Sequence, residues 1–193
     1  MLCAEFDVIA LGSYAINALG PDSDIDAIFL LDDAYPQAEA EEHAQQFLAF
    51  VSRLRQLGTP IQVDLRLRGE GSQGLLVRTY AGFQSYELDR MEMWERFALG
   101  HARLVRGREE VVDLVLRAAY AQPVTPERLN ELVRMKRRIE SERNTPKYFK
   151  RNVKIGYGGL SDIDWFVHIL EMRYPTATKA GLALGTVDRL RAI

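Results

Sequence analysis

An α+β fold is predicted by three observations in the sequence. Strand-like runs at residues 5–11, 25–31 and 61–67 are interleaved with helix-spaced segments up to about residue 122. Beyond Pro123 and Pro126, every periodic segment has helical spacing. Between Leu11 and Leu31, a Gly-Ser pair is followed after ten residues by Asp24-Ile25-Asp26 and then by an apolar run, so the strand region carries a polar feature of its own. The organisation expected is a strand-containing domain over residues 1–122 and a helical domain over 123–193.

Taken in order, residues 5–11 (Glu-Phe-Asp-Val-Ile-Ala-Leu) read as a short buried strand leading into Gly12-Ser13. Residues 14–19 read as a short helix, closed by Gly20-Pro21, with Asp22 and Ser23 in the turn. Ile25 to Leu31 forms the second strand, ended by Asp32-Asp33. From Gln37 to Leu57 the apolar residues Phe47, Leu48, Val51 and Leu54 recur at helical spacing, and Gly58-Thr59-Pro60 stops the helix. Residues 61–67 alternate, with Ile61, Val63, Leu65 and Leu67 on one face and Gln62, Asp64 and Arg66 on the other, the pattern of a half-buried strand. Gly69, Gly71 and Gly74 form a loop. Thr79 to about Gly100 reads as one helix, Ala102 to Val105 as a short strand or extended arm ending at Gly107, and 109–121 as a helix. Pro126 to Arg143 is amphipathic. Ser161 with Asp164 approximates a capping box opening a helix to about Arg173, and a last helix runs from Lys179 to Ile193.

Bulk composition narrows the class. Hydrophobic residues make up 47% and charged residues 27% of 193, the values of an ordinary globular protein with one sizeable core. The one cysteine, Cys3, excludes a disulfide framework. No apolar run approaches the roughly 18 residues of a membrane span, and the start lacks a signal-peptide pattern, so a cytoplasmic protein without a membrane partner is expected. Net charge is −2, but residues 1–60 hold ten acids and two bases while 61–193 hold seventeen acids and twenty-three bases. Of the 25 basic residues 20 are arginine, the side chain suited to bidentate phosphate contact. There is no like-charge block and no charge pattern for nucleic-acid binding.

The chemistry concentrates in three carboxylates. Asp24 and Asp26, one residue apart on an extended segment, project from the same face. Like charges that close repel unless a cation sits between them, and Mg²⁺ is the usual occupant because hard cations take carboxylate oxygens and keep positions open for phosphate. Asp64, on the polar face of another strand, completes a cluster able to hold two Mg²⁺ ions, the clamp of an in-line phosphoryl displacement. Gly12 lets backbone approach a phosphate, and Ser13 offers a hydroxyl and an N–H. Asp64 is placed to ligate metal and to take the proton of an attacking hydroxyl.

Leu-Gly-Ser, ten residues, Asp-hydrophobic-Asp and then a strand Asp resembles the nucleotidyltransferase superfamily typified by DNA polymerase β. Further segments resemble the glutamine synthetase adenylyltransferases within it. These are Val63-Asp-Leu-Arg-Leu-Arg68, Gly71-Ser-Gln-Gly-Leu-Leu-Val77, Trp94-Glu-Arg-Phe-Ala-Leu-Gly-His-Ala-Arg103 and Gly158-Gly-Leu-Ser-Asp-Ile-Asp-Trp-Phe166, collinear from about Val8 to Tyr174. The resemblance implies a polymerase β-like mixed sheet with flanking helices, followed by an incomplete all-helical domain. It implies transfer of AMP from ATP to a tyrosine hydroxyl of glutamine synthetase, or phosphorolytic removal. It implies that Asp24, Asp26 and Asp64 are the metal triad, that Gly12 belongs to the nucleotide loop, and that Arg66, Arg68 and Arg103 take phosphate or structural ion-pair roles. The loop departs from the family's Gly-Lys-Leu-Gly-Gly-x-Glu-Leu, reading Gly12-Ser13-Tyr14-Ala15-Ile16-Asn17-Ala18-Leu19, and Gly69 stands where the family has proline. Two alternatives stay open on that departure: a minimal nucleotidyltransferase with another acceptor, and a degenerate nucleotide-binding regulatory module. Trp94 and Glu95 are expected to anchor a helix onto the sheet, and Asp162 and Asp164 to cap a helix first turn.

Overall fold

The computed structural model describes residues 6–20, 23–143, 152–174 and 185–192. Cys3, the turn at Pro21-Asp22, the start of the first predicted strand at Glu5, and residues 179–184 and 193 of the predicted last helix lie outside these. The chain divides into two compact units, residues 1–119 and 120–193.

The first unit is built on a mixed sheet. Strand β1 (Asp7–Ala10) pairs antiparallel with β2 (Ile25–Leu31), Ile9 opposite Ile28, and antiparallel on its other side with β5 (Arg103–Arg106). Two short strands share the far edge of β2, both parallel to it: β3 (Val63–Asp64) beside residues 25–26, and β4 (Val77–Thr79) beside residues 29–31. This is the α+β arrangement the sequence predicts. Alternation along β2 sends Ala27, Phe29 and Leu31 into a cluster with Phe6, Leu65, Val77 and the small residues Ala40 and Ala44 of helix α2 (Gln37–Gln56). Alanine at both places lets the helix approach the strands closely, and Phe6 and Phe29 fill the gap with ring centroids 4.9 Å apart. Polar groups of α2 also fasten the sheet: Val77 N–H donates to Glu41 Oε1 at 2.7 Å, and Gln37 Nε2 donates to the Val77 carbonyl at 3.0 Å.

Three expectations are corrected here. The 61–67 strand shrinks to the two residues of β3, because both arginines that follow turn the chain back on itself: Arg66 N–H donates to Asp64 Oδ1, and the Arg68 guanidinium to the Leu65 carbonyl. The single helix from Thr79 is two, α3 (Tyr80–Asp89), capped by Thr79, and α4 (Met93–Leu99), opened by a capping box of Glu92 and Glu95. Glu95 is 3% exposed, accepting from Tyr86 Oη at 2.6 Å, while Trp94 turns back to Glu92. The short helix after the first strand begins at Gly12 and ends at Ala15 (α1, Gly12–Ala15). Helix α5 (Glu109–Tyr120) follows β5.

The described elements of the second unit are helices α6 (Pro126–Arg143), α7 (Leu160–Arg173) and α8 (Thr186–Ala192). Ser161 does not cap α7; Gly159 holds the cap position, and Asp162 accepts from Gly158 N–H at 2.7 Å. Lys136 of α6 pairs with Asp162, and Arg189 of α8 pairs with Glu171 of α7. Among the described residues, no helix is long and apolar enough to cross a membrane.

Candidate metal and nucleotide site

The site forms where β1, α1, β2 and β3 meet. The parallel pairing of β2 and β3 sets Ile25 opposite Val63 and Asp26 opposite Asp64. Direct neighbours in a sheet lie about 4.8 Å apart and point to one face. Leu65, next along, is 5% exposed in the α2 cluster, which leaves Asp64 for the opposite face. Asp24 precedes β2 by one residue, and Ile25 N–H donates to the Gln62 carbonyl at 2.8 Å, so the start of β2 is tied to the start of β3.

Gly12 brings the loop to the carboxylates. Its φ of +51° is left-handed, and a Cβ there would lie 2.7 Å from Asp26 Oδ2. Only glycine lets the backbone enter this cradle. Leu11 N–H donates to the Asp26 carbonyl at 2.9 Å, which joins the loop to β2 from the other side. Ser13 follows, half-buried, in the single turn of α1.

The three arginines have distinct placements. Arg66 covers Asp64: its Nε lies 3.0 and 2.9 Å from Oδ1 and Oδ2, and Nη2 lies 2.5 Å from Oδ2. The Arg66 guanidinium is held above its ordinary value, first by hydrogen bonds to Asp64, then by that carboxylate's charge, with Asp24 and Asp26 adding to it against desolvation. Arg68 donates to three carbonyls, Leu65 at 2.6 Å, Gly74 at 3.1 Å and Ser72 at 3.2 Å, and so stitches the loop after β3. Burial lowers its guanidinium, with the charges of Glu41 and Asp64 opposing. Arg103, opposite Ala10 in the sheet, donates to the Ala15 carbonyl at 2.7 Å and the Tyr14 carbonyl at 2.9 Å, with its guanidinium 5.3 Å from the Tyr14 ring centre. Both are carbonyls of the last turn of α1, and the Tyr14 carbonyl also accepts from Asn17 N–H at 3.3 Å. Arg103 thus holds the Gly12-Ser13 turn from behind.

A supporting cluster escaped the sequence reading. Tyr86 Oη accepts from Glu70 N–H at 3.1 Å while donating to Glu95, and Arg78 and Arg90 lie 4.7 and 5.6 Å from its ring centre. Glu70 pairs with both arginines, at 3.2 and 2.8 Å. Burial and the Glu95 hydrogen bond push the Tyr86 hydroxyl up to about 12. The available signal was Gly69 in place of a proline: a Cβ at Gly69 would stand 2.5 Å from the Tyr86 ring.

Asp26 and Asp64 at facing register positions, with Asp24 one residue before β2, supply oxygen donors of the charge that a hard divalent cation takes.

Comparison with known proteins gives a consistent answer. The family model described as glutamate-ammonia ligase adenylyltransferase matches residues 2–118. A bifunctional glutamine synthetase adenylyltransferase/adenylyl-removing enzyme of Streptomyces coelicolor is 33% identical over 186 residues, covering 90% of this chain and 18% of that protein. Proteins of the same description from Bifidobacterium longum and Nocardia farcinica are 31% and 33% identical, covering 97% and 98% of this chain and 19% and 20% of theirs. The chain spans about a fifth of the length of the curated relatives it matches.

Proposed function

The chain belongs to the glutamate-ammonia ligase adenylyltransferase family, and from that premise we propose that it is a Mg²⁺-dependent nucleotidyltransferase moving AMP between ATP and a tyrosine hydroxyl of glutamine synthetase. The observation that carries this reading is the register of β2 against β3, which sets Asp26 beside Asp64, with Gly12 against Asp26.

Asp24, Asp26 and Asp64 are the residues that would hold the cations. Bound there, Mg²⁺ supplies charge neutralisation for the triphosphate and orients its α-phosphorus. Gly12 admits the phosphates to the carboxylate face, and Arg103 keeps that turn in place through the α1 carbonyls. Asp64 accepts the proton of the attacking hydroxyl. A new O–P bond forms to the α-phosphorus as its bond to the pyrophosphate oxygen breaks; in phosphorolytic removal an oxygen of inorganic phosphate bonds to the AMP phosphorus as the tyrosine O–P bond breaks, giving ADP and the free tyrosine hydroxyl once its oxygen takes up a proton.

The test is transfer of label from α-³²P-ATP to glutamine synthetase in the presence of Mg²⁺. Wild type is expected to label it, and Asp64→Asn to lose at least about a hundredfold in rate, within the range for removing a proton acceptor. Equal labelling by the two proteins overturns the assignment. The Gly12-Ser13 loop, which lacks the family's lysine and glutamate, supports a second reading with another hydroxyl acceptor. Labelling of other lysate proteins, with none on glutamine synthetase, moves the assignment there.

A further inference from the structure

We propose that the Arg66 guanidinium is a resident counter-ion of the aspartate cluster, displaced from Asp64 by the incoming divalent cation and transferred to the polyphosphate that arrives with it. The proposal rests on the reading of Asp24, Asp26 and Asp64 as a cation site, and adds to it a coupling between cation and nucleotide.

Three features carry it. First, one side chain occupies both oxygens a metal needs. Nε and Nη2 of Arg66 engage Oδ1 and Oδ2 of Asp64 at 2.5–3.0 Å. The guanidinium holds the place on Asp64 that a cation would take. Second, the two partners differ in freedom. The Arg66 side chain is 67% exposed and that of Asp64 11%, so the arginine swings out into solvent at small cost while the carboxylate stays. Third, the carboxylate keeps an anchor when the side chain leaves. Arg66 N–H donates to Asp64 Oδ1 at 2.8 Å, an i to i+2 bond independent of the guanidinium.

The consequence is a competition with a definite sign. A cation arriving alone displaces an ion pair and gains correspondingly less. A cation arriving with a triphosphate releases a guanidinium that, tethered two residues from Asp64, finds phosphate oxygens in the bidentate geometry it prefers. Nucleotide therefore tightens metal binding, and metal tightens nucleotide binding by the same factor. A side chain that merely braces the β3 turn predicts the opposite for its removal, a loosened and weaker cation site.

Mn²⁺ binding to the 193-residue chain, followed by electron paramagnetic resonance of the free ion with and without a non-hydrolysable ATP analogue, tests this. Arg66→Ala is expected to bind Mn²⁺ alone about threefold to fivefold more tightly than wild type, the range set by an exposed ion pair. The analogue is expected to tighten Mn²⁺ binding less in Arg66→Ala than in wild type. Arg66→Lys, which keeps the charge and loses the fork, should fall between them, and circular dichroism checks that both variants fold. Equal or weaker Mn²⁺ binding by a folded Arg66→Ala overturns the displacement proposal while leaving the cation site intact. Mn²⁺ binding by wild type no tighter than by Asp64→Asn, with the analogue present, overturns both.

Discussion

At Gly12 two requirements meet in one residue. The backbone there is left-handed, and the space a side chain would fill is taken by the Asp26 carboxylate. Alanine at this position is expected to cost about 1–2 kcal/mol in backbone conformation alone. It must also push Asp26 out of register with Asp64, so AMP transfer should fall far more than stability. Urea unfolding and the labelling assay, run on the same Gly12→Ala preparation, separate the two effects; a variant of wild-type activity refutes the cradle. That Asp26 and Asp64 share a face was legible from spacing, since alternation fixes which side chains lie together. The partners of the arginines were not. Residue type predicts that arginine seeks oxygen, and here Arg68 and Arg103 find backbone carbonyls, a choice made by turn geometry that has no signature in sequence.

Among the elements, legibility followed length and punctuation. The second strand and the helices from Gln37 and from Pro126 match their expected bounds to within a residue, because each has several periods of apolar residues and a clear breaker. The strand at 61–67 was overread. Alternation reports which side chains are buried, and Leu65 is buried as expected, yet the backbone beyond Asp64 bonds to its own side chains instead of to a neighbour. The break at Arg90–Glu92 between α3 and α4 was missed because no glycine or proline marks it; two glutamates do the work of a cap. Element α1 shows what such local bonding achieves. One turn of helix cannot sustain itself, and Arg103 supplies donors for its final carbonyls. Arg103→Met is expected to leave the fold intact by circular dichroism and to lower kcat/KM for ATP by about tenfold to a hundredfold, the scale of a small misplacement of a binding loop. An unchanged kcat/KM means the turn holds without it.

On the scale of the whole molecule, each unit contains a buried charge that its neighbours must answer. Within the first, Arg96 is 1% exposed, paired with Glu87 at 2.9 Å and donating to the Ala118 carbonyl at 2.5 Å. Within the second, α8 is held to α7 by Arg189 and Glu171, whose side chains are 0% and 3% exposed. Removing one partner strands the other in low dielectric, so Arg189→Met is expected to cost about 3–5 kcal/mol, and the double variant Arg189→Met/Glu171→Leu to regain most of it. Urea midpoints of wild type, both single variants and the double complete the cycle, and a single variant costing under about 1 kcal/mol rejects the assignment. Chain length has its own stringency, and the pairing of β2 with β3 sets it. The turn after α2, from Leu57 to Gln62, delivers a strand of only two residues to a partner that reads it by parity. One residue inserted there and passed into the strand would bring Leu65 to the carboxylate face and send Asp64 beneath α2. Two inserted residues would restore the face but move the carboxylate about 6.6 Å along the sheet. Between α2 and Asp64 the chain has no spare length to gain or lose.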